Sequence, residues 1–292
     1  MVNLRYVSSN GIEFDLHDFD SAKLLKADFH SVNWVPETVE RQYGTTINRF
    51  KKNAQEFDCT FRFKGDPSKR KAQIDAFIFQ IETDIANLSP GYLWWNDQYI
   101  AVYFDSHDCY PIDSGMGWTE LKGKFYAPFP FWIEEVEIHI DPSGGEYPEE
   151  WLPEDVKGYP SKRGFKYGYT YSYPYGINSG EFYIDSAFGA DFKSVVYGPV
   201  TTGVQINLAG NNYQVDYPLL RGERLVVDSR DYLPIDDKCY VVRQNGDKVN
   251  VFDYRDPSSQ LFKRMPGGYV TVYVPTLYKL DLTLFLERSA PI

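Results

Sequence analysis

Trp132, Glu134, Glu135 and Glu137 place three carboxylates beside a tryptophan near the middle of the chain. Glycoside hydrolysis needs two such acids flanking a bond, one to protonate the leaving group and one to act as base or nucleophile. The local pattern argues for something plainer. Side chains alternate between the faces of an extended segment, so Glu135 and Glu137 share one face and Val136 and Ile138 the other, as in a strand with one solvated side. The four histidines, His17, His30, His107 and His139, show neither HxH nor HExxH spacing, so no metal centre is expected. Asp253, Asp256 and Glu223 could bind calcium or line a sugar site at a sandwich edge. Hard-cation sites need several oxygens converging from one loop, and that spacing is missing here, so ordinary turn carboxylates are expected. No GxSxG, Walker or GxGxxG motif occurs, and no catalytic residue or cofactor is assigned.

Cys59, Cys109 and Cys239 are odd in number, widely spaced and without a CxxC pair. A disulfide framework or zinc site is not expected, and each reads as a small buried hydrophobe. A length of 292 residues favours two domains, and 43% hydrophobic with 24% charged residues excludes a disordered chain. Aromatic residues make up 17%, including 24 tyrosines and 20 phenylalanines, which favours strands and protein contacts. A formal charge of −11 argues against coating nucleic acid, since phosphate neutralisation needs clustered Lys and Arg. Residues 1–6 lack a basic segment followed by an apolar run, so no secretory signal is expected. Nor does any window approach the ~20 apolar residues of a membrane span, and no membrane partner is expected.

The elements that would carry these residues are mostly strands. Leu4–Val7 and Ile12–Leu16 flank Asn10-Gly11, a hairpin signal. A partly apolar run over 24–35 ends at Pro36, and 37–52 is too polar for a core and reads as an extended loop or hairpin arm. Residues 57–63 alternate as a half-buried strand. A helix is predicted over 67–88, with Asp66 as cap, Pro67 at the first position, and Ile74, Phe77, Ile78, Ile81, Ile85 and Leu88 on one apolar face. Lys69, Lys71, Asp75, Glu82 and Asp84 would face solvent. Strands 92–95 and 99–104 follow around Asn96-Asp97, then a loop over 105–117 and a strand over 118–125.

The stretch Phe125-Tyr126-Ala127-Pro128-Phe129-Pro130-Phe131-Trp132-Ile133 marks a change in the chain. Two prolines in three residues exclude a helix interior or central strand, so it reads as a rigid apolar exit from a first domain. One more strand is expected over 133–140. Residues 141–180 are rich in tyrosine, proline and glycine and read as a linker or interaction arm. From 181 onward strands recur at regular spacing, with candidates at 192–197, 203–208, 213–217, 224–228, 239–243, 248–252, 269–274 and 277–286.

This order of elements resembles the distal tail proteins of long-tailed bacteriophages. The likeness rests on the helix ending in Ser89-Pro90-Gly91-Tyr92-Leu93-Trp94-Trp95, the closing segment 125–132, and a second half with Ile177-Asn178-Ser179-Gly180, Gly222-Glu223-Arg224-Leu225-Val226-Val227-Asp228, Asn245-Gly246 and Met265-Pro266-Gly267-Gly268. It implies a mainly β fold with one packed helix. An N-terminal β-sandwich-like ring domain (1–140, with helix 67–88) would be joined through 141–180 to a C-terminal galectin-like β-sandwich (181–292). It further implies a structural virion protein with no enzymatic activity: a homo-oligomeric, commonly hexameric, ring at the tail tip or baseplate, assembled in the host cytoplasm. Such a ring joins the tail tube and tape measure to the baseplate hub, or tail-associated protein, and the receptor-binding proteins, and DNA passes through its lumen without specific binding. Tyr43, Arg49, Lys51, Trp94, Trp95, Phe129, Phe131 and Trp132 are the candidate assembly residues. The alternative is a two-domain β protein that recognises host-surface carbohydrate through its C-terminal sandwich.

Overall fold

A computed structural model describes residues 3–18, 22–109, 117–140, 177–275 and 279–292. The chain divides into two compact units, Met1–Glu134 with Arg288–Ile292, and Glu135–Glu287.

In the first unit, β1 (Leu4–Val7) and β2 (Glu13–Asp15) form the hairpin expected at Asn10-Gly11, with Gly11 at φ 80°. β3 (Lys23–Ala27) pairs with β6 (Gln55–Lys64), and β4 (Val35–Glu40) with β5 (Thr45–Lys51). After α1 (Pro67–Ala86) come β7 (Gly91–Trp95), β8 (Gln98–Cys109), β9 (Trp118–Ala127) and β10 (Trp132–Ile140). β8 is the hinge of the layout. Its first half pairs with β7, which pairs with β1, and its second half pairs with β9, which pairs with β6. The loop expected to begin at residue 105 is therefore corrected. The strand continues through Cys109 across a register irregularity between Phe104 and Ser106, its polar residues on exposed positions.

The helix starts as expected, with the Asp66 side chain accepting from the Lys69 N–H at 2.8 Å. Its apolar face needs a correction. Ile74, Phe77 and Ile81 are buried, but Ile85 is 40% and Leu88 83% exposed, while Asp84 is buried. The helix ends at Ala86 rather than at 88, with Asn87 as C-cap and Leu88 beyond it at φ 49°. Asp84 turns inward because polar partners await it. Its carboxylate accepts from the Tyr6 hydroxyl, from the Ser9 N–H at 2.9 Å and from the Ser9 hydroxyl at 2.6 Å. A buried carboxylate is tolerated when hydrogen-bonded in this way. Gly91 lies against the Tyr6 hydroxyl with no room for a β-carbon. Burial and Asp84 together push the Tyr6 phenol well above its ordinary range.

The second unit is two facing antiparallel sheets. One has the order β17 (Lys248–Asn250), β16 (Cys239–Val242), β15 (Arg224–Asp228), β12 (Ala190–Tyr197), β19 (Leu280–Arg288), β10, and the other β11 (Ile177–Ile184), β18 (Gly268–Pro275), β13 (Val204–Leu208), β14 (Asn211–Val215). Phe192, Leu282 and Leu284 from one sheet and Ile206, Val270 and Val272 from the other share one buried cluster, which makes the unit a β-sandwich. The strands expected from residue 192 onward are present. The last is described from Leu280, and 276–278 fall outside the described residues, as does most of the 141–180 stretch, whose last four residues begin β11.

Candidate assembly surfaces

β4 and β5 form a two-stranded sheet of their own. Their register runs from Val35 opposite Lys51 to Glu40 opposite Thr45. The turn closes with the Arg41 N–H donating to the Gly44 carbonyl at 2.9 Å, Gly44 taking φ 77°. Glu37 faces Arg49 across the pair and accepts from its Nε at 2.6 Å, with Lys51 Nζ at 3.3 Å. These two cations hold the Glu37 carboxyl below its ordinary range. Exposed ion pairs of this kind set register more than stability. Val39, Tyr43, Ile47 and Phe50 are all exposed, Tyr43 to 88%. The hairpin thus leaves apolar side chains in water that its own two strands cannot cover.

Its root is fixed on the aromatic and proline stretch. Lys52 Nζ donates to the Pro130 carbonyl and, at 3.1 Å, to the Ser289 carbonyl, and lies 4.7 Å from the centre of the Phe131 ring. Burial pulls the Lys52 ammonium down to about 8. Trp34 meets Phe131 edge-on at 6.0 Å, and Phe131 meets Phe129 at 5.2 Å. Both phenylalanines are half-buried. Trp132, by contrast, is fully buried and packs against Phe29 at 5.7 Å.

Trp94 and Trp95 project from opposite faces of β7. Trp94 packs on Tyr99 at 4.9 Å and under the Arg5 guanidinium at 5.0 Å, and Trp95 meets Phe29 and His30 at 6.2 and 5.5 Å. The eight candidate residues therefore fall in four places: Tyr43, Arg49 and Lys51 on the hairpin, Phe129 and Phe131 at its root, Trp94 and Trp95 on β7, and Trp132 in the core. Trp34 and Lys52 belong with the root and were not singled out from the sequence. The signal available was weak, a tryptophan two residues before Pro36 and a lysine at the end of a polar run.

The carboxylates considered for chemistry are otherwise engaged. Glu134 accepts from Arg288 at 3.2 Å and Gln98 at 3.3 Å, and Glu137 and Glu135 lie on an exposed face. Glu223 accepts from the Leu220 N–H and Asp256 from Ser258, both within turns. Cys59 and Cys239 are buried free thiols, pushed up by burial, Cys239 to about 12. In the second unit Asp191 and Glu287 are buried around Arg264, at 3.3 and 2.8 Å, and burial raises both. Among the described residues no group of three or more His, Cys, Asp or Glu is placed to hold a metal, and no helix is long and apolar enough to cross a membrane.

The fold, mainly β with a single helix, is Dit-like. Over 99% of both chains it matches the crystal structure of the SPP1 Dit protein, described as a paradigm of the hub adsorption apparatus of phages infecting Gram-positive bacteria, with a TM-score of 0.62 at 12% identity. It also matches, again over 99% of both chains, a component of the phage P2 baseplate in its activated conformation with calcium (TM-score 0.63, 8% identity) and with strontium (0.63, 9%). No protein-family model matches the chain, and no curated protein sequence does.

Proposed function

We propose that the chain is the distal tail protein of a long-tailed phage or phage-derived tail, a structural component without enzymatic activity. The observation that carries this reading is the end-to-end likeness of the fold to SPP1 Dit. Copies assemble into a ring, a hexamer, through the domain spanning 1–140. The sandwich 181–292 lies outside the ring, and 141–180 connects the two. The ring joins tail tube and tape measure to the baseplate hub and receptor-binding proteins at the tail tip. The exposed apolar side chains of β4 and β5 support an assembly role for Tyr43, Arg49 and Lys51, and the formal charge of −11 suits a lumen that passes DNA without retaining it.

Class averages of the purified protein test this. Closed rings with a central hole are expected, and a monomer at every concentration would sink the reading. Deleting residues 38–52 should leave a cooperative melt intact while abolishing rings, because the hairpin contributes little to the buried core.

One observation favours a second reading, carbohydrate recognition by the sandwich. Tyr183 and Tyr269 are directly paired across β11 and β18, 60% and 78% exposed, with ring centres 5.1 Å apart. Exposed tyrosine rings of this kind can stack on a sugar. Glycan-array binding by the monomeric sandwich, lost in Tyr269→Ala, would favour it.

A further inference from the structure

Beyond β17 the chain crosses the second unit in a largely irregular stretch, 251–263, that is pinned along β14 and its end. The Asp216 N–H donates to the Tyr254 carbonyl at 2.7 Å, the Asp256 N–H to the Gln214 carbonyl at 3.1 Å, and the Tyr213 hydroxyl to the Lys263 carbonyl at 2.8 Å. Leu261 is buried. Held in this way, the stretch walls a cleft of about 390 Å³ whose lining includes Phe252, Arg255, Ser259, Leu261, Phe262 and Lys263. That volume suits a small ligand, and the pinned backbone makes the cleft preformed.

The lining divides into an apolar wall and a set of donors. Phe252 and Phe262 stack nearly parallel, ring centres 5.6 Å apart, and form the wall with Leu261. Both charged residues in the lining are cations. The half-buried Arg255 guanidinium lies 3.9 Å from the centre of the Phe252 ring and donates from Nη1 to the Phe252 carbonyl at 3.1 Å, which leaves most of its five N–H groups for another acceptor. Among the described residues no carboxylate is within ion-pair distance of Arg255 or Lys263, whereas Arg230 and Arg264 in the same unit are paired at 2.7 and 2.8 Å. Asp256, next in sequence, accepts instead from the Ser258 hydroxyl and N–H, which hold its carboxyl below the ordinary range. The Ser259 hydroxyl oxygen accepts from the Gln214 N–H at 3.1 Å, so its own proton remains to be donated. A guanidinium drawn from water costs free energy unless an anion meets it, and in a chain of formal charge −11 this one has none. We infer that the cleft binds a small molecule in which a carboxylate or phosphate is joined to a ring, with the oxyanion at Arg255 and Lys263 and the ring against Phe252, Leu261 and Phe262. Such a site lies within one chain and does not depend on the ring reading above.

Phenyl phosphate is the probe, titrated into the full-length chain and followed by ligand-observed NMR. It should bind more tightly than inorganic phosphate, which lacks the ring, and than benzamide, which lacks the charge. Benzoate should compete with it, since a carboxylate offers Arg255 the same paired oxygens. Arg255→Gln should weaken binding at least about tenfold, the loss expected when a charge-assisted pair is removed. Lys263→Gln should weaken it about threefold or more and leave the melting temperature unchanged, because Lys263 is exposed. That variant decides the matter should Arg255→Gln melt early. No binding by the unsubstituted chain, equally tight binding of inorganic phosphate or benzamide, or an affinity that both variants leave unchanged would overturn the site.

Discussion

The two units fill their interiors with different chemistry. Among the described residues the first core is built on rings: Tyr6, Phe29, Phe57, Phe61, Phe63, Phe77, Phe104, Phe125 and Trp132. The second has only Phe182, Phe192 and Tyr213 among many valines, leucines and isoleucines. Geometry explains the difference. Two facing sheets leave a slab about 10 Å thick that branched aliphatic side chains fill by interdigitation. In the first unit β8 changes partners midway and a helix packs on β6 and β8, so the interior is not a slab between two facing sheets. Large rings fill it through edge-on contacts, as Phe77 does with Phe14 at 5.1 Å and Tyr6 at 5.9 Å. The first core is therefore carried by larger individual side chains than the second.

Phe77→Ala should break this comparison most directly. Phe77 also touches Phe61, Phe63 and Phe104, so its loss should cost about 3–5 kcal/mol and lower the melting of the first unit alone. Leu284→Ala in the second core should cost less, about 2–3 kcal/mol. Calorimetry on both variants decides: a larger loss from Leu284→Ala would reverse the argument. Asp84→Ala should follow at about 2 kcal/mol, because the Tyr6 hydroxyl and the Ser9 N–H would lose their acceptor inside the protein. Urea midpoints for Asp84→Ala and Tyr6→Phe, alone and combined, measure how far the two act together, and simple additivity would show that the cluster is not a unit.

Much of this organisation was legible in the sequence where the cause is local. Asn10-Gly11 specified its hairpin, and the alternation over 57–63 specified which side chains of β6 are buried. What escaped depends on partners far along the chain. Periodicity put Ile85 and Leu88 inside because it reads residue type. Asp84 is inside instead because Ser9, 75 residues away, completes its hydrogen bonds. Lys52 looked like the end of a polar arm, and its seat depends on the Ser289 carbonyl 237 residues later. The candidate assembly residues show the same division. Tyr43, Arg49 and Lys51 lie on the exposed hairpin that the polarity of 37–52 suggested, whereas nothing local distinguishes the fully buried Trp132 from the half-buried Phe131 beside it.

The smallest expected effect separates the polar interiors. Asp191 and Glu287 sit in the second unit around Arg264, and Ser229 donates to Asp191 at 3.2 Å. Burial is the largest influence on both and raises them above their ordinary 3.8 and 4.5, outweighing the lowering by Arg264. Each therefore holds its proton more tightly in the folded chain than in the unfolded one. Between the unfolded and folded values the folded state binds more protons, so this contribution to stability is present below the unfolded value and is lost as pH rises through the folded value. Glu287→Gln mimics the protonated form and its amide oxygen can still accept from Arg264. The variant should melt slightly higher than the unsubstituted chain at pH 7, with the advantage shrinking to nothing as pH falls toward 4.5. An advantage that grows on acidification would mean that Arg264 dominates and that the carboxylate is stabilised in its charged form. No corresponding trend is expected from Tyr6→Phe over that range, because the Tyr6 phenol is held above its ordinary 10 and stays protonated in both states.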